Sequence, residues 1–190
     1  MKHLFNNIIA SVDVETSGTV AGFHEIIQIA IVPLERLQPA GAPFYTNIRP
    51  KYPERRDQNS LDINGLSIEE LMNAPSKERA IDLFSEWFEE LNLPCGGKII
   101  VLAHNSFFEH GFLRAWLGQE GLDNFFHYLY RDAMTCALAI KDKMALVGES
   151  PFESVSLTNL CKVYGITNEK PHDALADALA EAELYKALLG

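Results

Sequence analysis

The sequence predicts an α/β fold: a mixed central β-sheet with helices packed on its faces. Three observations lead there. Two segments rich in Ile and Val, 8–15 and 25–34, come first; helices then alternate with isolated strands; and a long alanine-rich helix closes the chain. The 190 residues are 47% hydrophobic and 22% charged, which suits a single globular domain over 1–190 with a full core of its own.

Residues 8–15 (IIASVDVE) form the first predicted strand and 25–34 (EIIQIAIVPL) the second, with Ser17, Gly18 and Gly22 supplying the turn between them. A third strand is expected at 43–49, where aromatic and β-favouring residues sit near a proline tolerated at an edge. The chain therefore opens as a three-stranded meander. The next stretch, 49–65, has two prolines and no apolar period. Residues 66–73 and 75–94 read as helices, the longer one carrying Ile81, Phe84, Phe88 and Leu91 at helical spacing. Pro75 opens it, and Pro94 with Gly96 and Gly97 closes it. A buried strand at 98–103 runs into a helix over 106–117 with Asn105 as its N-cap, and another strand is expected near 125–130. Helices at 133–146, 156–164 and 173–189 complete the pattern.

The formal charge of −10 argues against holding duplex nucleic acid on a broad basic face, because that mode needs many Lys and Arg contacts to phosphate. It leaves room for a nucleic-acid enzyme, since two bound divalent cations would cancel about four charges where a phosphate must approach. Met1 to Asn7 carry one lysine and lead into an apolar run that meets Asp13 too soon for a signal-peptide core or a membrane span. A cytoplasmic protein without a membrane partner is expected. Cys95, Cys136 and Cys161 are far apart and form no CxxC pair, so they read as buried, inert thiols.

Asp13 and Glu15 are two residues apart on a predicted strand, so both leave the same face. Adjacent carboxylates in an apolar strand each lose hydration and raise the other's pKa, a cost that a metal ion or a wet strand end with basic partners would relieve. Glu109 falls in the first turn of a helix that begins where a buried strand ends, a common ligand location in α/β sheets, although the helix dipole alone would also favour an acid there. In His172-Asp173-Ala174-Leu175-Ala176-Asp177, Asp173 could cap the last helix and Asp177 could face solvent. The small residues Ala174, Ala176, Ala178 and Ala180 instead let that helix lie close to the sheet, which would bring Asp177 toward Asp13 and Glu15.

Taken in order, Asp13-Val-Glu15-Thr16-Ser17-Gly18, Glu25-Ile-Ile-Gln-Ile, Ile63-Asn64-Gly65-Leu66-Ser67, the His104-Asn105 segment with Phe108 and Glu109, and the His172 to Asp177 segment resemble the DEDDh exonucleases. That group includes the proofreading epsilon subunit of DNA polymerase III, ribonuclease T and oligoribonuclease. The likeness covers nearly the whole chain. It implies a ribonuclease-H-like exonuclease fold and removal of nucleoside 5′-monophosphates from the 3′ end of single-stranded DNA or RNA. It also implies two divalent cations, Mg²⁺ or Mn²⁺, one held by Asp13, Glu15 and Asp177 and the other between Asp13 and Glu109. His172 would take a proton from the attacking water, and imidazole is suited to that work near neutrality. Thr16, Gly18 and Thr19 would recognise the free 3′-hydroxyl, and His104, Asn105 and Phe108 would line or support the terminal nucleotide. Relatives act as polymerase subunits, as free RNA-trimming enzymes and as homodimers, so the resemblance leaves a polymerase partner or a homodimer open.

Two positions depart from the family pattern. Glu109 stands where the family has aspartate, one methylene longer, which predicts a retuned second metal site more tolerant of Mn²⁺, because Mg²⁺ demands strict octahedral geometry. Asn64 stands where some relatives carry histidine. Arg49, Lys51, Tyr52, Arg55 and Arg56 form a concentrated basic run that could track substrate phosphates or simply be a solvated loop. Two other readings compete: a catalytically weakened nucleic-acid-binding module of the same fold, against which His172 speaks, and a metal-dependent phosphatase using the same acids. No GxxxxGK[ST] pattern is present to suggest an ATPase.

Overall fold

The structure is a computed structural model and describes residues 5–190, so the start of the expected lead-in at 1–7 lies outside the described residues. Strand β1 (Ile8–Thr16) pairs antiparallel with β2 (Ile26–Glu35), and β3 (Gln38–Pro39) and β4 (Phe44–Asn47) both pair with the far edge of β2. Strand β5 (Ile99–Ala103) lies parallel to β1 on its other side, and β6 (Arg131–Asp132) lies parallel to β5. The sheet order is β3-β2-β1-β5-β6 with β4 beside β2, the mixed sheet that the sequence predicts.

The helices are α1 (Gln58–Asn64), α2 (Ile68–Leu71), α3 (Lys77–Glu90), α4 (Ser106–Phe125), α5 (Ala133–Ala145), α6 (Leu157–Tyr164) and α7 (Ala174–Leu189). The pleat divides the strands between two cores. On one face Val12, Val14, Ile29, Ile31 and Val101 meet α3 and α4 through Phe84, Trp87, Phe112 and Trp116. On the other, Ile9, Ala30, Val32, Ile100 and Leu102 meet α7 through Ala174, Ala178, Ala182 and Leu184. Those three alanines recur every fourth residue and are fully buried, so they put the α7 backbone close to β1 and β2. No helix among the described residues is long and apolar enough to cross a membrane.

Several local expectations need correction. Helix α1 occupies a stretch without an apolar period; it buries Leu61 alone and is held by its ends, with Asp57 capping Asn59 N–H and Gly65 in the left-handed conformation. The β2–β3 hairpin turns through Arg36 and Leu37 at positive φ, positions usually given to Asn or Gly, which hid the turn. Pro75 precedes the α3 N-cap, which is Ser76. The strand expected near 125–130 lies later, at Arg131–Asp132, and Phe126 contributes one bridge to Ile99. Helix α4 continues beyond 117 to Phe125 across a break at Gly118. Asn105 stands at its N-cap position in the left-handed conformation but makes no side-chain cap; the Asp132 carboxylate takes Ser106 N–H at 2.5 Å instead. Cys161 is buried, but Cys136 is half-buried and Cys95 is exposed, because Cys95 falls in the loop that leaves α3.

Candidate active site

β1 carries Ile9, Ser11, Asp13 and Glu15 on the face that α7 covers. α7 supplies Asp177, and the turn before it supplies His172. Glu15, His172 and Asp177 each present a ligand atom, and these atoms all lie within 4.8 Å of one another. Asp177 does not face solvent: it is buried, accepting Asn168 Nδ2 at 2.5 Å and His172 N–H at 3.1 Å. His172 itself is exposed, with a positive φ of 65° that turns the chain at the mouth of the site. Asp173 is the α7 N-cap, and it also accepts Tyr45 Oη at 3.0 Å and Lys170 Nζ at 2.7 Å.

From the opposite face of the sheet end, α4 brings in Glu109, which is 3% exposed. Asp13 Oδ2 and Glu109 Oε2 are inaccessible and have no hydrogen-bond partner among the described residues. Burial, then the neighbouring charges of Glu181, Glu15 and Asp177, pushes the Asp13 carboxyl well above its ordinary range. Burial followed by Asp177 and Asp173 lifts Glu15 to about 7, against a hydrogen bond from Asn64. Glu109 is raised by burial and then by Asp13, and Asp177 by burial in spite of its hydrogen bonds. Such a cluster is repulsive as it stands and fits divalent cations by charge and oxygen chemistry, while the close convergence of ligand atoms is limited, among the described residues, to Glu15, His172 and Asp177 and does not take in Asp13 or Glu109.

The turn after Glu15 is tightly made. Thr16 Oγ1 donates to Gly18 carbonyl at 2.7 Å, and Ser17 Oγ accepts Glu25 N–H at 3.0 Å. Thr19 is exposed beside it. Across the site, His104 Nε2 lies 2.8 Å from Val155 carbonyl; a carbonyl only accepts, so Nε2 carries the proton. His104 is thus tied to the segment that leads into α6. Asn105 and Phe108 are both half-buried, and Phe108 packs on Phe112 at 4.7 Å, whereas its neighbour Phe107 is 86% exposed and has no core role.

Glu181 went unread in the sequence. It is 1% exposed; its Oε1 accepts His104 N–H at 2.9 Å and its Oε2 accepts Ser11 Oγ at 3.3 Å. Burial and then Glu109 raise its pKa strongly. One signal was available: Glu181 follows Asp177 by four residues, so on a helix it must share the sheet-facing side. Asp132 had a weaker signal, since its carboxylate caps α5 at Thr135 N–H and α4 at Ser106 N–H across a distance no local pattern reveals. Burial opposes its ionisation, but those bonds outweigh it and hold the carboxyl below its ordinary range.

A family model, RNase_T, described as an exonuclease, matches residues 11–185. The chain is 29% identical over 181 residues to a PolC-type DNA polymerase III of Thermotoga petrophila, covering 95% of this chain and 12% of that protein. It is 30% identical to a ribonuclease T of Photorhabdus laumondii, over 92% of this chain and 80% of the relative. Escherichia coli exonuclease I, in complex with a dT13 oligonucleotide, superposes with a TM-score of 0.71 at 19% identity, over 95% of this chain and 40% of that one, a likeness of fold. The chain thus spans about an eighth of the PolC-type relatives' length and two fifths of exonuclease I.

Proposed function

The chain belongs to the exonuclease family, and from that membership we propose that it removes nucleoside 5′-monophosphates, one at a time, from the 3′ end of single-stranded DNA or RNA. The observation that carries this reading is the pair of partnerless, inaccessible carboxylate oxygens, Asp13 Oδ2 and Glu109 Oε2, beside the trio of Glu15, His172 and Asp177.

Divalent metal ions generally serve this family, and the acids present fit them. Two ions, Mg²⁺ or Mn²⁺, would be held by Asp13, Glu15 and Asp177 and by Asp13 with Glu109. When bound they supply positive charge that stabilises the incoming and departing oxygens of an in-line displacement. The rest of the work falls to this chain. His172, exposed at the mouth, accepts the proton of the attacking water at a ring nitrogen. The turn at Thr16, Gly18 and Thr19 offers backbone groups to the terminal 3′-hydroxyl, which is what makes the enzyme act at an end. Asn105 and Phe108 flank the terminal nucleotide, and His104 fixes the segment that carries them. The 3′-oxygen of the shortened strand leaves.

The test is digestion of 5′-labelled single-stranded DNA and RNA oligonucleotides with Mg²⁺, Mn²⁺ or EDTA. A ladder shortening from the 3′ end only with metal is expected, and the better substrate identifies the sugar. Binding without cleavage under every condition would leave a nucleic-acid-binding module in its place.

A further inference from the structure

A concavity apart from the carboxylates is walled by Gly22 to Glu25, the end of the loop that follows β1. None of Asp13, Glu15, Glu109, His172 or Asp177 lines it. Its floor is apolar, built from Ile26, Ile48, Phe112 and Trp116, and its rim is cationic, with Arg49, Lys51, Arg55 and Lys77 against Glu25 and Glu78. On a chain of formal charge −10, this is a local reversal of sign. Glu25 does not neutralise it by pairing: its two oxygens accept the backbone N–H groups of Lys51 and Tyr52 at 3.1 and 2.8 Å. That grip fixes the basic segment in place. Arg49, Lys51 and Arg55 have no carboxylate within salt-bridge distance among the described residues.

The rim is also ordered for flat ligands. The Arg55 guanidinium lies 3.8 Å from the Tyr52 ring centroid and 5.3 Å from that of Phe23, and Phe23 is half exposed. Guanidinium planes and aromatic faces are the surfaces on which unstacked bases settle, and Lys and Arg beside them bind the phosphates. The cavity, about 230 Å³, is below the ~300–1,000 Å³ of drug-sized sites, which argues against a large cofactor.

Two elements join this pocket to the carboxylate site. The loop from Ser17 to Glu25 starts at the 3′-end turn and finishes as the pocket wall, closed by Ser17 N–H to Glu25 carbonyl at 2.9 Å. On α4, Glu109 belongs to the carboxylate site, and one turn later Phe112 is in the pocket floor. The 17–25 loop and α4 thus each contribute to both the carboxylate site and the pocket.

Resting on the exonuclease reading, we propose that this pocket is a subsite for an internal nucleotide of the same strand, a few residues upstream of the scissile bond. Its base lies on Phe23 and Arg55, and its phosphates lie between Arg49, Lys51 and Lys77. The enzyme then prefers strands long enough to fill both sites.

The experiment compares kcat/KM for single-stranded oligonucleotides of two to twelve nucleotides, in the wild type and in Phe23→Ala, Arg55→Gln and Lys51→Gln, each checked for folding by circular dichroism. Anisotropy of a labelled twelve-mer in EDTA reports binding apart from cleavage. The wild-type kcat/KM should rise with length and then level off. The variants should lose the length advantage by about tenfold, the scale of one stacked base, and the Lys51 variant should lower the salt slope of twelve-mer binding by about 0.7. A flat length profile, or equal losses on the shortest and longest strands, overturns the subsite. If no strand is cleaved at all, the exonuclease reading fails, and twelve-mer binding unaffected by the three substitutions then rejects the pocket separately.

Discussion

The Glu181 carboxylate accepts the backbone N–H of His104 at 2.9 Å, so a residue in the middle of the last helix fixes the point where β5 gives way to α4. Glu109 lies five residues beyond that point, and its position therefore depends on an almost fully buried acid. Glu181→Gln keeps an acceptor for His104 and offers Ser11 an amide donor, while removing a group that repels Asp13 and Glu109. Glu181→Ala strands the His104 N–H and opens a cavity, at a cost of about 2–3 kcal/mol. Urea denaturation in EDTA near neutral pH should place the Gln variant at or above wild type and the Ala variant below it by that margin. Equal destabilisation by both would mean that the charge itself holds the junction.

The carboxyl cluster also fixes how metal-free stability responds to pH. Glu15 is raised from 4.5 to about 7, so between those values the folded chain holds a proton that the unfolded chain has released. Raising pH through that window favours unfolding. Asp13, Glu109, Asp177 and Glu181 act in the same direction. Asp132 and Asp173, depressed below 3.8, act oppositely; their stabilisation is present above that value and is lost as pH falls through their folded pKa values. Thermal melts in EDTA should therefore be highest in mild acid and lower at about pH 8. Added Mg²⁺ or Mn²⁺ should recover more stability at the higher pH, because cations bind the ionised form. A melting temperature that climbs steadily from mild acid to pH 8 without metal would refute this account.

Asp13→Ala removes the acid that both proposed cation sites share and relieves the repulsion that Asp13 suffers from Glu181, Glu15, Asp177 and Asp173. Cleavage should fall by roughly a hundredfold or more, while the metal-free melting temperature stays level or rises. Parallel loss of fold and activity would make Asp13 a structural residue.

Much of this site was legible because its parts obey short-range periods. The two-residue spacing of Asp13 and Glu15 put both on one face, and the alanines of α7 foretold the close approach that buries Asp177. What stayed hidden depended on contacts between distant segments. Glu181 differs from a surface glutamate only in what packs on it, and Asp132 caps a helix twenty-six residues earlier. The α1 helix is held by its caps, with one buried leucine, and so lacks the periodic signal by which helices are read.

Glu109→Asp tests the one departure among the carboxylates. Shortening the side chain draws its oxygens back toward α4 and leaves a methylene-sized gap beside Asp13, costing about 1 kcal/mol of stability. Rates with Mg²⁺ should rise relative to rates with Mn²⁺, since the stricter octahedral ion gains most from the family's ordinary ligand. Turnover unchanged with both ions would show that the surrounding site has adapted to glutamate.

Gly18 is fixed by its neighbour. A β-carbon there would lie 2.4 Å from the His24 ring, which is held by Val20 N–H on Nδ1 at 3.0 Å and stands edge-on to Phe23 at 4.9 Å. Gly18→Ala must therefore push His24 aside and disturb the turn between Thr16 and Glu25. KM for single-stranded substrate should rise about tenfold, with kcat changed less, since in the proposed mechanism the turn positions the 3′ end and does not perform chemistry. His24→Ala clears the space that the new methyl needs. The double variant Gly18→Ala/His24→Ala should bind substrate more tightly than Gly18→Ala alone, a coupling of about 1 kcal/mol between contacting residues. Additive losses would instead place the defect in the backbone at Gly18, independent of the histidine ring.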